Sequence, residues 1–146
     1  MSQGAALLSG ATAAISLNLM HECARQIMPD PPRIDVIGMR AVAKAARAMG
    51  FDPPENLRTT ALAGDLLANT LFYSSVAAAG KSEAIVHGAL AGFAAGIGTL
   101  LFPEPLGLGD AEVNRTPQTQ AMAAGMYLVA GLIAGITYRT LTRGSD

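Results

Sequence analysis

Four stretches of the chain are apolar enough and long enough to cross a lipid bilayer, and no other feature constrains the fold as much. These runs carry few or no charges and cover residues 4–20, 59–80, 84–103 and 116–138. A helix rising about 1.5 Å per residue needs about 20 residues to span a hydrocarbon layer of about 30 Å. The sequence therefore predicts an all-α, polytopic membrane protein, a four-transmembrane-helix bundle. The predicted spans cover approximately residues 4–28, 57–80, 83–103 and 117–142.

Composition supports a single membrane domain over residues 1–146. Only 14% of the 146 residues are charged, against about 25% in soluble proteins. The formal net charge of −1 provides no basic surface for nucleic acid. Cys23 is the only cysteine, so neither an intramolecular disulfide nor a cysteine metal cage is expected. The alternative is a soluble alanine-rich bundle, but the runs 84–103 and 116–138 lack the polar face that a soluble surface helix needs.

A short basic helix is predicted between the first two spans, at approximately residues 35–49. Asp35 is expected to cap its start, and Gly50 follows its end. Three basic residues recur on one side, namely Arg40, Lys44 and Arg47. The pattern is typical of an amphipathic helix in the lipid headgroup region. A solvated connector packed on the helix ends explains it equally well.

The distribution of positive charge predicts an orientation in the cell (inner) membrane. Six of the ten Lys and Arg residues lie around the connection between spans one and two. The positive-inside rule places loop 29–56 in the cytoplasm and both termini outside. The connector before the last span should share the cytoplasmic side. A hairpin at residues 80–83 should make spans two and three antiparallel neighbours.

Small residues recur at helical spacing in the later spans. They are Gly88, Gly92 and Gly96 in the third span and Gly131 and Gly135 in the fourth, and Gly10 lies in the first. Such stripes allow helix backbones to approach closely. Several such faces in so short a chain favour a homo-oligomer, with a symmetric dimer as the preferred form.

Polar residues within the spans are the candidate functional residues, because an ionisable group in a membrane is costly unless it is paired or wet. The first span ends, and the second begins, on the same side of the membrane. We therefore expect their polar faces to converge at the cytoplasmic end of the bundle, near Gln118 and Gln120. The expected cluster contains Asn18, His21, Glu22, Arg25, Asp65 and Asn69.

The cluster has three possible roles. It is structural if Arg25 forms an ion pair with Asp65 or Glu22 and locks the helices together. It is functional if it forms a wet vestibule that binds or passes a small polar solute, an ion or a lipid headgroup. Catalysis is least favoured, because His21 and Glu22 lack the second histidine of a zinc peptidase helix. We thus predict no catalytic residue, metal or cofactor.

The favoured function is binding or passage of a small polar solute or ion. The alternative from another class is a structural or assembly subunit of a membrane complex. The sequence contains no motif that assigns the chain to a family.

Overall fold

The computed structural model describes residues 3–144, and within that range the chain forms helices and no strand. This confirms the all-helical class. The α-helices are α1 (Gln3–Ile27), α2 (Ile34–Ala48), α3 (Leu57–Ser74), α4 (Gly80–Leu101), α5 (Ala111–Asn114) and α6 (Pro117–Leu141). A 3-10 segment, Ser75–Ala79, connects α3 to α4.

Local side-chain chemistry determines where the helices begin. The Asn56 side chain accepts a hydrogen bond from the Thr59 amide at the start of α3, and Thr116 does the same for Thr119 at the start of α6. The prediction that Asp35 caps the basic helix is wrong. Helix α2 begins at Ile34, so Asp35 lies inside its first turn, where it binds arginine side chains.

The long helices are arranged in the order α3, α1, α6, α4. Helix α1 packs against α3 and α6, and α4 packs closely on α6. Helices α4 and α6 run antiparallel, because Gly88 lies over Gly131 whereas Gly96 lies over Ala124. Many large apolar side chains on these helices remain exposed.

Helices α3 and α4 are consecutive but do not pack along their length, so the predicted pairing of spans two and three is wrong. A cleft separates them. The chain turns before residues 80–83, in the 3-10 segment, and Gly80 has a left-handed φ of 74° that suits glycine. Val76 and Ala77 of this turn are buried in the core. Because the turn itself packs within the bundle, it does not bring α3 and α4 into contact along their length.

Small residues occupy much of the interior, beside buried Leu17, Tyr73 and Val76, and many large apolar residues lie outside. Ala13 and Ala130 are fully buried, whereas Leu67 and Leu90 are 63% and 65% exposed. Soluble proteins place large aliphatic residues inside. Two helical stretches are long and apolar enough to cross a membrane, the 45-residue Leu57–Leu101 and the 25-residue Pro117–Leu141.

The prediction of four spans is therefore not confirmed. The first qualifying stretch contains both α3 and α4, interrupted by the 3-10 segment. Helix α1 does not qualify. Its C-terminal half carries the polar residues Asn18, His21, Glu22 and Arg25, which lower its mean hydropathy.

Helix α2 lies at the end of the bundle where α1 ends and α3 and α6 begin. Arg40 donates to the Leu108 carbonyl at 2.8 Å and to the Glu112 carboxylate at 2.6 Å. Lys44 donates to the Leu106 carbonyl. Two of the three basic side chains thus bind the connector between α4 and α6. These contacts favour the packed connector over a helix that lies free in the headgroup region.

Candidate functional site

Asp65 lies where α1 and α3 cross, and two amide side chains hold it. Asn18 Nδ2 of α1 donates to Asp65 Oδ2 at 2.8 Å. Asn69 Nδ2, one turn further along α3, donates to Asp65 Oδ1 at 2.9 Å. All three side chains are half-buried. The structure thus brings together three of the six predicted residues, and each carboxylate oxygen accepts one amide hydrogen.

Gly10 allows the backbones of α1 and α3 to approach each other closely. A Cβ atom at this position would lie 2.0 Å from the Thr70 carbonyl oxygen and 2.9 Å from the Ser74 amide nitrogen. Real Cβ atoms do not approach backbone so closely. The backbones of α1 and α3 therefore touch at Gly10, and two helical turns later along α1 Asn18 reaches Asp65.

The remaining hydrogens of the two amides are also used. Asn18 Nδ2 donates a second bond to the Ala14 carbonyl at 3.1 Å, and Asn69 Nδ2 donates a second bond to the Asp65 carbonyl at 3.1 Å. A primary amide has only two N–H groups. The amide oxygens and the unused carboxylate lone pairs are the groups that remain for another molecule.

Arg25 does not pair with Asp65, so that predicted ion pair is wrong. Arg25 binds the Glu22 carboxylate, as the other predicted pairing had it, and also lies 3.0 Å from Asp35 Oδ2. Arg25 is seven residues from Asn18, or about 10 Å along a helix, and is therefore displaced from Asp65 toward α2. Among residues 3–144, no Lys, Arg or His side chain forms an ion pair with Asp65.

The arginine network joins the end of α1 to the first turn of α2. Arg33 donates two hydrogen bonds to Asp35, each at 2.9 Å. These bonds, helped by the charges of Arg33 and Arg25, hold the pKa of Asp35 below its ordinary value, although partial burial opposes them. Arg58 at the start of α3 lies 4.0 Å from Glu22. The network closes one end of the bundle around Asp35.

A cavity of about 370 Å³ lies between α1, α2 and α3. We call it the α1–α2–α3 cavity. Five of the six predicted residues line it, and its other walls are mainly aliphatic. Its size falls within the range of small-molecule sites. The predicted residues that line it are Asn18, His21, Glu22, Arg25 and Asp65, and the aliphatic walls include Ile15, Leu19, Leu62 and Leu66.

His21 also contacts α6. Its ring centroid lies 5.7 Å from that of Tyr127, and its buried Nε2 has no hydrogen-bond partner in the described part of the chain. Across residues 3–144, no group of three His, Cys, Asp or Glu side chains is placed to hold a metal ion. His21, Glu22 and Asp65 therefore do not form a metal site of three ligands.

The sixth predicted residue, Asn69, lines a different space. The cleft between α3 and α4 has a volume of about 650 Å³, and Asn69, Phe72, Thr99 and Phe102 are among its lining residues. Because Asn69 also binds Asp65, the Asp65–Asn69 pair separates this cleft from the α1–α2–α3 cavity.

The two glutamines expected near the cluster do not join it. Gln120 donates instead to Asn114 Oδ1 at 3.1 Å, and Gln118 is exposed. Helix α5 and the preceding connector bring Asn114 to the start of α6. Gln120 therefore binds Asn114 rather than a residue of α1 or α3.

Sequence reasoning missed the contribution of α2 to the site. Asp35, Gly38 and Ile34 line the α1–α2–α3 cavity. The sequence feature that could have indicated this contribution is the pair Arg33 and Asp35 at the start of the helix. A separation of two residues allows an ion pair between them as well as capping by Asp35. Which face of α2 meets α1 is not visible in its amphipathic pattern.

Comparison with known protein families, with characterised proteins and with solved structures finds no match to this chain. The geometry of the α1–α2–α3 cavity and the chemistry of its lining residues are therefore the observations that bear on function.

Proposed function

We propose that the chain is a four-helix membrane protein that binds or passes a small polar solute or ion at the α1–α2–α3 cavity, which faces the cytoplasm. One observation carries this proposal. Asp65 lies within the bundle beside a cavity of about 370 Å³, and its partners are two neutral amides rather than a cation. An ionised carboxylate within a membrane bundle costs free energy unless water or a ligand binds it.

The arrangement of apolar surface supports the membrane setting. Helices α1, α3, α4 and α6 contain 18 to 25 residues each, close to the length that a crossing needs. Large aliphatic side chains lie outside on all four, as Leu8, Leu67, Leu90 and Ile136 do. Lipid tails would cover these side chains, and small interior residues would allow the helices to pack.

Orientation follows from the basic end of the bundle. The ends of α1 and α3 that meet α2 carry Arg25 and Arg58, Arg33 immediately precedes α2, and α2 adds further positive charge. The positive-inside rule places this end in the cytoplasm and both termini outside. The α1–α2–α3 cavity would then lie toward the cytoplasmic surface.

Binding is favoured over a purely structural role because of how the charges are distributed. An interhelical lock would pair Asp65 with an arginine, but Arg25 is already bound to Glu22 and Asp35. A lock would also leave little space beside the carboxylate. The unpaired charge and the adjacent space together favour an exchangeable partner.

A thermal-shift experiment in detergent micelles tests the proposal. The purified protein is melted with inorganic cations, inorganic anions, amines and sugars in turn, beside Asp65→Asn and a control, Glu83→Gln. Glu83 is an exposed carboxylate near the start of α4. A ligand that binds only the folded state raises Tm.

We expect at least one solute class to stabilise the native protein and the control but not Asp65→Asn. If no solute distinguishes the variants, Asp65 has a structural role only. An Asp65→Asn protein that does not fold is replaced by Gly38→Leu, which narrows the cavity. A Cβ at Gly38 meets only the Ala61 Cβ, at 3.6 Å.

A second candidate function is an assembly subunit, favoured by the cleft between α3 and α4. Phe72 and Phe102 line this cleft and are 42% and 62% exposed, so a helix of another protein would gain apolar contact there. The glycines that favoured a dimer are already used between α4 and α6. This function predicts that the purified chain alone is polydisperse in micelles, whereas a solute-binding protein should elute as one species.

A further inference from the structure

We infer that the ligand of the α1–α2–α3 cavity is a protonated organic amine, with at least one N–H group and an apolar body. The inference rests on the proposed function and adds the chemical class of the solute. It follows from the hydrogen-bond accounting around Asp65 and from the character of the cavity walls.

The centre of the site offers acceptors and no free amide donor. Both N–H groups of Asn18 and both of Asn69 are used, by Asp65 and by helix carbonyls. What remains is the Asn18 oxygen and the lone pairs of the carboxylate, both on residues that line the cavity. A ligand that binds here must donate hydrogen bonds, and a positive charge makes those bonds stronger.

Anions are disfavoured by the same accounting. The cationic group best placed to attract an anion is Arg25, but it is bound to Glu22 and Asp35. Arg58 also lines the cavity, but its side chain is 64% exposed and turned to Glu22 at 4.0 Å. Neither arginine is available next to Asp65, so the carboxylate would repel an anion without compensation.

Metal cations are a poor match to the walls. Ca²⁺ requires six to eight oxygen ligands, and Mg²⁺ requires an octahedral set. Two of the three carboxylates that line the cavity, those of Glu22 and Asp35, are already bound to arginines. The lining also includes the aliphatic residues Ile15, Leu19, Leu62 and Leu66. Such walls suit the hydrocarbon part of an organic molecule, with its charged end against Asp65.

The amine should carry N–H groups rather than four alkyl groups. Quaternary ammonium groups are typically held by aromatic faces. Among the described residues that line this cavity, His21 alone carries an aromatic ring, and that ring packs against Tyr127. A primary, secondary or tertiary ammonium ion, in contrast, donates directly to the carboxylate.

Four probes with the same hexyl chain test the class: hexylammonium, hexyltrimethylammonium, hexanoate and hexanol. Each is titrated at neutral pH into the protein in lipid nanodiscs, with Tm and calorimetric binding as readouts. The variants are Asp65→Asn, Gly38→Leu and the matched control Gly64→Leu. A Cβ at Gly64 meets no atom within 4 Å, so this leucine extends from the outer face of α3.

We expect hexylammonium to bind the native protein and Gly64→Leu alike. Its binding should weaken about tenfold or more in Asp65→Asn, where the charge is lost, and in Gly38→Leu, where the space is filled. Hexyltrimethylammonium, hexanoate and hexanol should bind at least about tenfold more weakly than hexylammonium to the native protein.

Hexanoate or hexanol binding as tightly as hexylammonium overturns the amine class. Hexylammonium binding that Asp65→Asn and Gly38→Leu leave unchanged also overturns it, because it then reflects partition into lipid. If another solute shows Asp65-dependent binding while the amine does not, the proposed function survives and this inference fails. If no solute does, both fail.

Discussion

Gly88 of α4 and Gly131 of α6 are in backbone contact. A Cβ added at Gly88 would lie 2.2 Å from the Gly131 carbonyl oxygen, and one added at Gly131 would lie 2.0 Å from the Gly88 carbonyl oxygen. A Cβ added at Gly92 or at Gly135 would lie 2.4 Å or 2.5 Å from a carbonyl oxygen of the opposite helix. Only glycine permits this approach, and it brings α4 and α6 together without large side chains between them.

Gly131→Ala should therefore destabilise the bundle. Its methyl group would force the helices apart, at a cost of about 1–3 kcal/mol. The matched control is Gly125→Ala, also on α6, where a Cβ meets nothing within 4 Å. Unfolding in mixed micelles measures both free energies. Equal stability of the two variants would show that α4 and α6 do not pack in this way.

Gly10→Ala should weaken solute binding as well as stability. The added methyl group displaces α1 from the Thr70 carbonyl of α3 and so moves Asn18 away from Asp65. Thermal shift with the solute identified by the Asp65 screen reports binding, and Tm without solute reports stability. Gly64→Ala is the control on α3. A loss of Tm with unchanged affinity would mean that the contact at Gly10 does not position Asn18.

Attachment of α2 to the bundle should depend on pH through Asp35. Its pKa is lowered from 3.8, mainly by the hydrogen bonds from Arg33. A lowered pKa means that this stabilisation is present above 3.8 and is lost as the pH falls through the still lower folded-state pKa. The protection of the amides of Ile34–Ala48 against hydrogen exchange, measured relative to the intrinsic rate at each pH, should therefore fall as the pH falls through the folded-state pKa.

Asp35→Asn removes the same contacts at neutral pH. Exchange in α2 should then be fast relative to the native protein before any acidification, and acid should add little. Asp52→Asn changes an exposed carboxylate in the turn after α2 and should behave like the native protein. Slow exchange in Asp35→Asn at neutral pH would show that Arg25 and Arg33 do not hold α2 in place.

Tyr73→Phe tests the contact between α3 and α6. Tyr73 is fully buried, and its hydroxyl donates to the Tyr127 carbonyl at 2.9 Å. Loss of the hydroxyl should reduce the free energy of unfolding by about 0.5–1.5 kcal/mol, while the ring still fills its space. Unfolding in micelles measures the change, and an unaltered value would indicate that the bond adds nothing to stability.

Cysteine labelling of intact cells tests the proposed orientation. In a Cys23→Ser background, Arg143→Cys should react with a membrane-impermeant thiol reagent added outside, because the C-terminus is placed there. Asp52→Cys should react only after the cells are permeabilised. The reverse pattern would invert the topology. Reaction of both from outside would contradict a membrane crossing between the two positions.

The local features of the fold are largely readable from the sequence. Proline at residues 29, 31 and 32 ends α1, and Thr116 followed by Pro117 begins α6, because caps and proline act within one helical turn. The meeting of Asn18 and Asp65 also follows from reasoning about depth, since α1 ends and α3 begins at the same end of the bundle, which places the two residues at similar heights. Reasoning about depth does not predict that α3 packs on α1 rather than on α4.

Helical periodicity and side-chain chemistry are local properties, and from them the sequence predicts the helical class, the approximate bounds of the long helices and six polar residues as candidates for a site. The tertiary structure alone decided that Arg25 binds Glu22 and Asp35, that Asp65 is left to Asn18 and Asn69, and that α2 completes the cavity. These outcomes depend on how far each side chain lies from its competing partners in space. That distance arises only when backbone contacts such as those at Gly10 and Gly88 have fixed the packing of the helices.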